Sequence, residues 1–166
     1  MNTEKKQPSP NFKFARFAKP SGARFRIREA NWPDDIAALM YVRNRVFVEE
    51  QFVPYTDEID EQDARSYHLL VTDEKGNPVG TGRLTPGGHI GRMAVLKEHR
   101  CQKIGHRLML HLMQKAMQRG HRIIELSAQT HAIPFYQKYG FSPVGRVYDE
   151  VGIPHQKMIF INKKRA

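Results

Sequence analysis

The stretch that decides the fold is Met93-Ala94-Val95-Leu96-Lys97-Glu98-His99-Arg100-Cys101-Gln102-Lys103-Ile104-Gly105. Its first four residues are all apolar, which is typical of a buried central strand. The apolar residues that follow recur at the spacing of one helical face, and they are Leu108, Met109, Leu112, Met113 and Ala116. Gly120 stands where a glycine commonly ends a helix. The stretch therefore predicts a central strand, a loop over residues 100–106 and a long helix.

Outward from this stretch, hydrophobic periodicity and turn residues predict an ordered series of elements. Strands are predicted at 24–28, 68–71, 79–84, 89–95, 123–126, 144–148 and 156–160, and helices at 33–48, 105–120 and 132–139. The order is strand, helix, three strands, helix, strand, helix and strands. Because many of the strands are close enough to pair as hairpins, this order favours a mixed α/β (α+β) sheet over a fully parallel one.

Composition is that of one folded domain. The chain has 166 residues, 40% of them apolar and 27% charged, which argues against global disorder. No apolar run approaches the roughly 18 residues of a membrane span, and the first residues lack the apolar core of a secretory signal. The single cysteine, Cys101, excludes an internal disulfide framework and a multi-thiolate zinc site. We expect a cytoplasmic protein with no metal and no membrane partner.

The net charge of +10 lies mostly at the two ends of the chain, and the body is close to neutral. Residues 1–22 are interpreted as a basic tail, residues 23–162 as the folded domain and residues 163–166 as a basic C-terminal end. Basic ends can contact phosphates without reading sequence, but solvated tails are the commoner outcome. Nucleic acid is therefore not expected as a partner, although a nucleic-acid-binding module that uses both ends remains an alternative.

Several motifs together resemble the GNAT N-acetyltransferases. Residues 95–105 leading into Leu108 resemble the acyl-CoA motif Arg/Gln-x-x-Gly-x-Gly/Ala, and Ala132-x-x-Phe135-Tyr136-x-Lys138-x-Gly140-Phe141 resembles the second signature. Four further segments resemble the ElaA-like subgroup, and they are Val46-Phe47-Val48-x-Glu50-Gln51, Glu58-x-Asp60-x-x-Asp63, Ala128-Gln129-Thr130-His131 and Gly152-Ile153-Pro154-His155. The set spans about residues 25–160, and its order makes the resemblance more specific than any one motif.

The resemblance implies a GNAT fold, a mixed central sheet flanked by helices. It also implies an enzyme that moves an acetyl group from acetyl-CoA to an amine by direct attack in a ternary complex. The acceptor stays open among a small amine, an amino sugar and a protein lysine or N-terminus. A homodimer is expected by analogy with the family. An acyl-CoA-binding protein with weak or no turnover remains an alternative, which the residue at position 103 supports.

A cofactor site is implied around the 100–106 loop. The N-terminus of a helix offers free N–H groups and a positive dipole end to an anion, which in the family is the coenzyme A pyrophosphate. The residues implied to bind are Met93, Ala94, Val95, Arg100, Cys101, Gln102, Lys103, Ile104, Gly105, His106, Gln129 and Tyr136. Lys103 replaces the first glycine of the motif, and Cys101 occupies a position where relatives often have a glycine as well. We interpret both departures as a sign that coenzyme A binds more weakly or at a different angle than in the relatives.

The catalytic residues follow in part from the resemblance. Tyr136 matches the family tyrosine that protonates the leaving thiolate, and its alternative role is a core aromatic. Seven acids lie within residues 49–63, which predicts either a solvated loop or a carboxylate lip at the acceptor site. Glu50 and Asp60 are the preferred general bases. The alternative bases are His68, His131 and His155.

Overall fold

A single sheet of eight strands organises residues 24–163, which are the residues that this computed structural model describes. The strands are β1 (Phe25–Ala30), β2 (Tyr67–Asp73), β3 (Pro78–Leu84), β4 (His89–Val95), β5 (Ile123–Gln129), β6 (Ser142–Pro143), β7 (Tyr148–Glu150) and β8 (Ile153–Ile161). Their order across the sheet is β1-β2-β3-β4-β5-β8-β6, and β7 also pairs with β8. Only the β4–β5 pairing is parallel among these strands.

Helices connect the strands in the predicted order. They are α1 (Trp32–Arg43), which continues as a π-helical segment (Asn44–Glu50), α2 (Tyr55–Glu58), α3 (Ile104–Gln118) and α4 (Ile133–Gln137). Short 3₁₀ turns lie at Asp63–Arg65, Lys97–His99 and Thr130–Ala132. Within residues 24–163, every helix is too short or too polar to cross a membrane.

Helices α1 and α3 cover opposite faces of the sheet, as the alternation of side chains in β2 demonstrates. Leu69 and Val71 belong to the main core, which α3 completes, whereas Leu70 packs with Leu39 of α1. The predicted apolar stripe of α3 is buried along its whole length. Since side chains of a strand point alternately to the two faces, one strand contributes to both cores.

Small residues in β3 let α3 approach the sheet closely. A Cβ atom added to Gly82 would lie 2.8 Å from Leu112 Cδ1, and one added to Gly80 would lie 3.1 Å from Ile104 Cγ2. Ile104 is the first residue of α3, and the side chains of Ile104 and Leu112 are both buried. The two glycines therefore let α3 pack closely on β3 from its first residue to its middle.

The observed elements confirm the mixed sheet and the predicted order, and they correct one strand. The strand predicted at 144–148 is wrong, because β6 ends at Pro143 and β7 begins at Tyr148. Gln156 Nε2 donates to the carbonyl oxygens of Val144 and Gly145 at 2.7 and 3.0 Å, so a side chain satisfies backbone groups that a strand partner would satisfy. Gly145 also has a φ of 73°, which turns the chain.

The domain limits are not tested by the fold. The predicted tail over residues 1–22 lies outside the described residues, as do residues 164–166 of the basic C-terminal end. The limits 23–162 and the two basic ends therefore stay predictions.

Candidate active site

The central opening of the sheet lies between β4 and β5. These parallel strands pair only at His89 with Glu125 and at Ile90 with Leu126, and beyond these pairs they part. The β3–β4 register shifts between Thr81 and Arg83, and Arg92 has a φ of 50°. A bulge of this kind bends a strand, so β4 leaves β5 while it stays paired with β3. One backbone edge of residues 93–95 therefore faces the opening.

A cavity of about 830 Å³ fills this opening. Most of the residues proposed from the sequence line it: Glu50, Met93, Ala94, Val95, Arg100, Cys101, Lys103, Ile104, Gly105, His106, Gln129 and Tyr136. Gln102 and Asp60 do not line it. Of the alternative bases, His131 and His155 line the cavity, whereas His68 is buried elsewhere and bonds the carbonyl oxygen of Asp63. Residues far apart in the chain thus share one site.

The loop before α3 keeps a glycine-like backbone without glycine at its two substituted positions. Cys101 has a φ of 62° and Lys103 a φ of 63°, both in the left-handed region. Lys103 is the residue that precedes α3, so the free N–H groups of the first turn of α3 follow directly after it. The departures at these positions therefore leave the loop's turn in place, at a cost of about 1–2 kcal/mol for each left-handed residue.

Arg100 and Glu50 join the loop to the end of the π-helical segment. Both terminal nitrogens of Arg100 donate to the Glu50 carboxylate at 2.7 Å, and Arg100 Nε donates to the carbonyl oxygen of Val95 at 2.9 Å. The hydrogen bonds and the charge of Arg100 lower the pKa of Glu50. Glu50 is therefore a weaker proton acceptor than an unpaired glutamate, which does not favour its predicted role as the base.

Tyr136 lies in the aromatic wall of the cavity. Its ring makes edge contacts with Phe135 and Phe141, at centroid distances of 5.1 and 6.4 Å. Burial raises the pKa of Tyr136 to about 12, so its hydroxyl keeps its proton at neutral pH. Tyr136 therefore packs in the aromatic wall with a protonated hydroxyl, and its role as the proton donor stays a prediction.

A buried ionic cluster accounts for part of the acidic run, which is not the solvated loop that was one expectation. Arg43 is fully buried, and it bonds Glu58 Oε1 at 2.5 Å and Asp63 Oδ1 at 2.9 Å. Arg83 bonds Asp60 Oδ1 and Asp63 Oδ1 at 2.8 and 2.9 Å. The cluster ties the segment after α1 to β3, since buried charges are stable only when they are paired.

Asp60 belongs to this cluster rather than to the cavity wall. Its carboxylate also accepts a hydrogen bond from Arg92 Nη2 at 3.3 Å. Burial raises the pKa of Asp60, but the hydrogen bond and charge of Arg83 outweigh burial and leave the pKa lowered. Two arginines therefore hold the oxygens of Asp60, and its role as a base stays a prediction that this pairing does not favour.

Several cavity residues were missed by the sequence analysis, and one of them is a histidine of β4. His89 is the first residue of β4, lines the cavity and is half-buried, and burial lowers its pKa below the ordinary histidine value. Within residues 24–163, its ring has no hydrogen-bond partner. Its only indication in the sequence is its position at the start of a predicted strand, three residues before a bulge that the sequence does not reveal.

Comparison with known proteins identifies the family. Residues 35–161 match the family described as "Acetyltransferase (GNAT) domain". The uncharacterized N-acetyltransferase YjcF of Bacillus subtilis is 42% identical over 123 residues, which are 72% of this chain and 87% of YjcF. The chain belongs to the GNAT acetyltransferase family and is an N-acetyltransferase, with an acyl-CoA co-substrate and an amine acceptor.

Within this family the chain lies in the ElaA-like group. Protein ElaA of Escherichia coli is 35% identical over 126 residues, which are 71% of this chain and 82% of ElaA. The crystal structure of ElaA has a TM-score of 0.73 at 30% identity and covers 81% of this chain and 98% of its own. A Pseudomonas aeruginosa acyl-CoA N-acyltransferase has a TM-score of 0.72 at 32% identity, with the same coverage. Both the predicted fold and the predicted family are confirmed.

Proposed function

We propose that the protein transfers an acetyl group from acetyl-CoA to a primary amine by direct attack within a ternary complex. The observation that carries the proposal is the parting of β4 from β5 beside a loop that leads into α3. The opening exposes backbone of residues 93–95, and the loop presents the N-terminus of α3 to the same cavity. In this proposal the thioester arm of acetyl-CoA lies along residues 93–95 and its pyrophosphate lies at the N-terminus of α3, so one extended ligand contacts both features.

The loop supplies the anion site. Successive free N–H groups in the first turn of α3 favour a pyrophosphate, and the left-handed backbone at Cys101 and Lys103 directs the chain into that turn. Arg100 lies at the same end of the cavity, where it can exchange its bonds to Glu50 for bonds to phosphate oxygens. Coenzyme A would thus be held mainly by backbone groups and by one arginine.

The acyl end of the substrate lies by Tyr136 in this proposal. Backbone groups of residues 93–95 orient the thioester and polarise its carbonyl. The Tyr136 hydroxyl, which stays protonated, donates its proton to the thiolate as the carbon–sulfur bond breaks. An acetyl group is the acyl group that we propose, and the cavity does not itself select among short acyl groups.

The acceptor enters from the side of α2 and β7. Asp57 and Glu150 line this side of the cavity and are exposed. Two carboxylates at the entrance attract a cationic amine and raise its local concentration. We therefore propose an acceptor that is positively charged before it reacts. A small amine, an amino sugar and a protein amine all meet this condition.

Turnover with two varied substrates tests the proposal. Amines are screened with acetyl-CoA while free thiol is detected, and initial velocities are then measured over both concentrations. Direct attack predicts double-reciprocal lines that intersect, whereas a covalent acetyl-enzyme gives parallel lines. Acetyl-CoA binding without thiol release from any amine would favour the alternative of a binding protein without turnover. A cytoplasmic location and a homodimer stay predictions.

A further inference from the structure

We propose that Arg92 is a positioning residue, which holds α2 on the acceptor side of the cavity at a fixed distance from the thioester. This role rests on the proposed function, in which Arg92 has no other part. The starting point is a single side chain of β4 that bonds three groups of one short segment, residues 57–60.

The backbone of Arg92 lies in the bulge of β4. The ladder between β3 and β4 skips Arg92 and Met93, which stand against a single residue of β3, and Arg92 has a φ of 50°. Residues 93–95, which face the opening, begin directly after it. The backbone of Arg92 therefore leads into the edge on which the thioester arm is proposed to lie.

The side chain of Arg92 reaches α2 and the turn after it. Its Nε donates to the carbonyl oxygen of Glu58 at 3.2 Å. Its Nη2 donates to the carbonyl oxygen of Asp57 at 3.4 Å and to Asp60 Oδ2 at 3.3 Å. Because a guanidinium presents its donors in a rigid planar fork, three bonds to one segment fix both the distance and the orientation of that segment.

Helix α2 depends on contacts from outside itself. It has only four residues, Tyr55–Glu58, and among the described residues no side chain caps its N-terminus. The last carbonyl groups of a helix lack partners within the helix, and a single turn is not stable alone. Arg92 supplies donors to these carbonyl groups, as does Arg43, whose Nη2 also bonds the carbonyl oxygen of Glu58. The two arginines therefore hold α2 in place.

The three arginines of the buried ionic cluster differ in their contact with the cavity. Arg43 and Arg83 are buried, and neither lines the cavity. Arg92 lines it, and its side chain is 25% exposed. Arg43 and Arg83 thus serve the stability of the cluster, whereas Arg92 lies at the boundary between the cluster and the site.

Asp57 is the cavity residue that Arg92 places. It belongs to α2, lines the cavity and is exposed. Arg92 bonds its carbonyl oxygen, while the charge of the guanidinium is directed to the carboxylates of Glu58 and Asp60. The carboxylate of Asp57 therefore keeps its charge for the acceptor ammonium while its backbone is held.

Arg92 thus relates the positions of the two substrates. Its backbone leads to the proposed place of the thioester, and its side chain holds the side from which the amine is proposed to enter. Attack requires the nitrogen to lie about 3–3.5 Å from the carbonyl carbon, and a misplacement of about 1 Å can cost about 100-fold in rate. A rigid link between the two sides contributes to this precision.

Arg92→Gln tests the role by kinetics with the amine varied at saturating acetyl-CoA. Glutamine keeps an unbranched side chain at the bulge, but its shorter amide does not reach all three acceptors. We expect the KM for the amine to rise about tenfold or more and kcat/KM to fall about 10- to 100-fold. Acetyl-CoA affinity, measured by calorimetry, should stay within about twofold of the parent's, since the loop before α3 is unchanged. An unchanged KM for the amine would overturn the proposal.

Arg92→Lys separates position from charge. Lysine keeps the positive charge but has one nitrogen, which bonds fewer of the three acceptors. The KM for the amine should therefore lie between the values of the parent and Arg92→Gln. A KM equal to the parent's would mean that charge alone suffices, and it would overturn the role of the three-bond fork.

Asp63→Asn is the control for stability, and Arg45→Gln is the matched control for the substitution. Asp63 bonds Arg43 and Arg83 and lies outside the cavity lining. Arg45 is 40% exposed in its side chain and also lies outside the lining. Both variants should keep the parent's KM for the amine, although Asp63→Asn is less stable. A rise in KM in Asp63→Asn equal to that in Arg92→Gln would mean that loss of the cluster displaces α2, and it would overturn the assignment to Arg92.

Hydrogen exchange provides a readout that needs no turnover. In Arg92→Gln the backbone amides of residues 55–60 should exchange faster than in the parent, because α2 has lost one of its two arginines. Exchange within α3 should match the parent, since α3 packs on the opposite face of the sheet. Equal exchange of residues 55–60 in the parent and the variant would overturn the hold of Arg92 on α2.

Turnover by the parent separates this role from the proposed function. If no amine releases thiol from acetyl-CoA, the proposed function is contradicted, and the role of Arg92 in placing the acceptor falls with it. If the parent turns over and Arg92→Gln keeps its KM for the amine, the role of Arg92 alone is removed.

Discussion

Glu50 and Arg100 form a two-bond ion pair beside the loop over residues 100–106, with both N–O distances at 2.7 Å. The pair joins the end of the π-helical segment to the loop that precedes α3. A pyrophosphate bound at that loop would compete with the carboxylate for the same guanidinium. We therefore expect Glu50 to modulate cofactor affinity rather than to accept a proton.

Glu50→Gln should leave the shape of the kcat/KM pH profile unchanged. Acetyl-CoA affinity should rise by about 1.5- to fivefold, because a partly exposed ion pair of this kind contributes about 0.2–1 kcal/mol and the variant frees Arg100. Both quantities are measured, by kinetics and by calorimetry. Glu49→Gln, at the exposed neighbouring acid, is the control. A 100-fold fall in kcat with loss of the acid limb would instead identify Glu50 as the base.

Cys101→Gly should stabilise the fold and retain acetyl-CoA binding. Relief of the left-handed backbone is worth about 1–2 kcal/mol, and the extra chain entropy of glycine costs about 0.5–1 kcal/mol, so a net gain of up to about 1.5 kcal/mol is expected. Chemical denaturation measures it. Gln102→Gly, at the intervening position without a positive φ, should destabilise instead. Equal effects at both positions would contradict the role given to backbone conformation.

Lys103→Gly restores the first glycine of the family motif. Glycine relieves the positive φ at this position, as it does at Cys101, which favours stability. The variant also loses one positive charge beside the proposed pyrophosphate site, which weakens acetyl-CoA binding. We expect the variant to be more stable than the parent. The ratio of its acetyl-CoA affinity to that of the parent should fall as the salt concentration is lowered. An affinity ratio that is independent of salt would mean that the Lys103 charge does not reach the pyrophosphate.

Tyr136→Phe should lower kcat about 100-fold at every pH from 7 to 9. The pKa of Tyr136 is raised to about 12, so the hydroxyl is protonated throughout this range and its loss has the same effect at each pH. Tyr139→Phe is the matched control: its hydroxyl lies outside the cavity lining and bonds His106. Turnover by Tyr136→Phe equal to that of the parent would leave this tyrosine a purely structural role.

Asp63→Asn should destabilise the protein by about 3–5 kcal/mol at pH 7, because it leaves Arg43 buried with one partner fewer. Burial raises the pKa of Asp63, but bonds and charge from Arg43 and Arg83 outweigh it and bring the pKa to about 2. A folded-state pKa below the unfolded value gives stability that is present above pH 4 and is lost as the pH falls toward 2.

The difference in unfolding free energy between parent and Asp63→Asn should therefore shrink between pH 5 and 2. Glu61→Gln, at an exposed acid of the same run, is the control. A difference that stays constant with pH would mean that the Asp63 charge contributes nothing to stability.

Much of the fold was readable from the sequence because its signals are local. The apolar stripe of α3 and the alternation in β1 depend on the periods of helix and strand alone, and both are borne out. The strand predicted at 144–148 failed because side-chain bonds from Gln156, which is distant in sequence from the turn it satisfies, replace a ladder there. Local patterns do not contain such partners.

The site was predictable where a motif carries it and not where distant residues meet. The residues of the loop other than Gln102, and Tyr136, which the motif resemblance singles out, line the cavity, and their roles stay predictions. The pairing of Asp60 with Arg83 and Arg92 joins residues at least 23 positions apart, and no pattern in the acidic run distinguishes it from a solvated loop. His89 was missed for the same reason, since only the folded strands reveal that it faces the cavity without a partner.

Calorimetric titration of the purified full chain with acetyl-CoA is the decisive test of the proposed cofactor site. We expect micromolar binding, on the order of −8 kcal/mol, through the loop at Cys101 and Lys103. Free coenzyme A should bind with similar affinity, because the pyrophosphate contacts are common to both ligands. No binding at millimolar acetyl-CoA would contradict the account, since the left-handed loop would then have the turn of the family motif without its function.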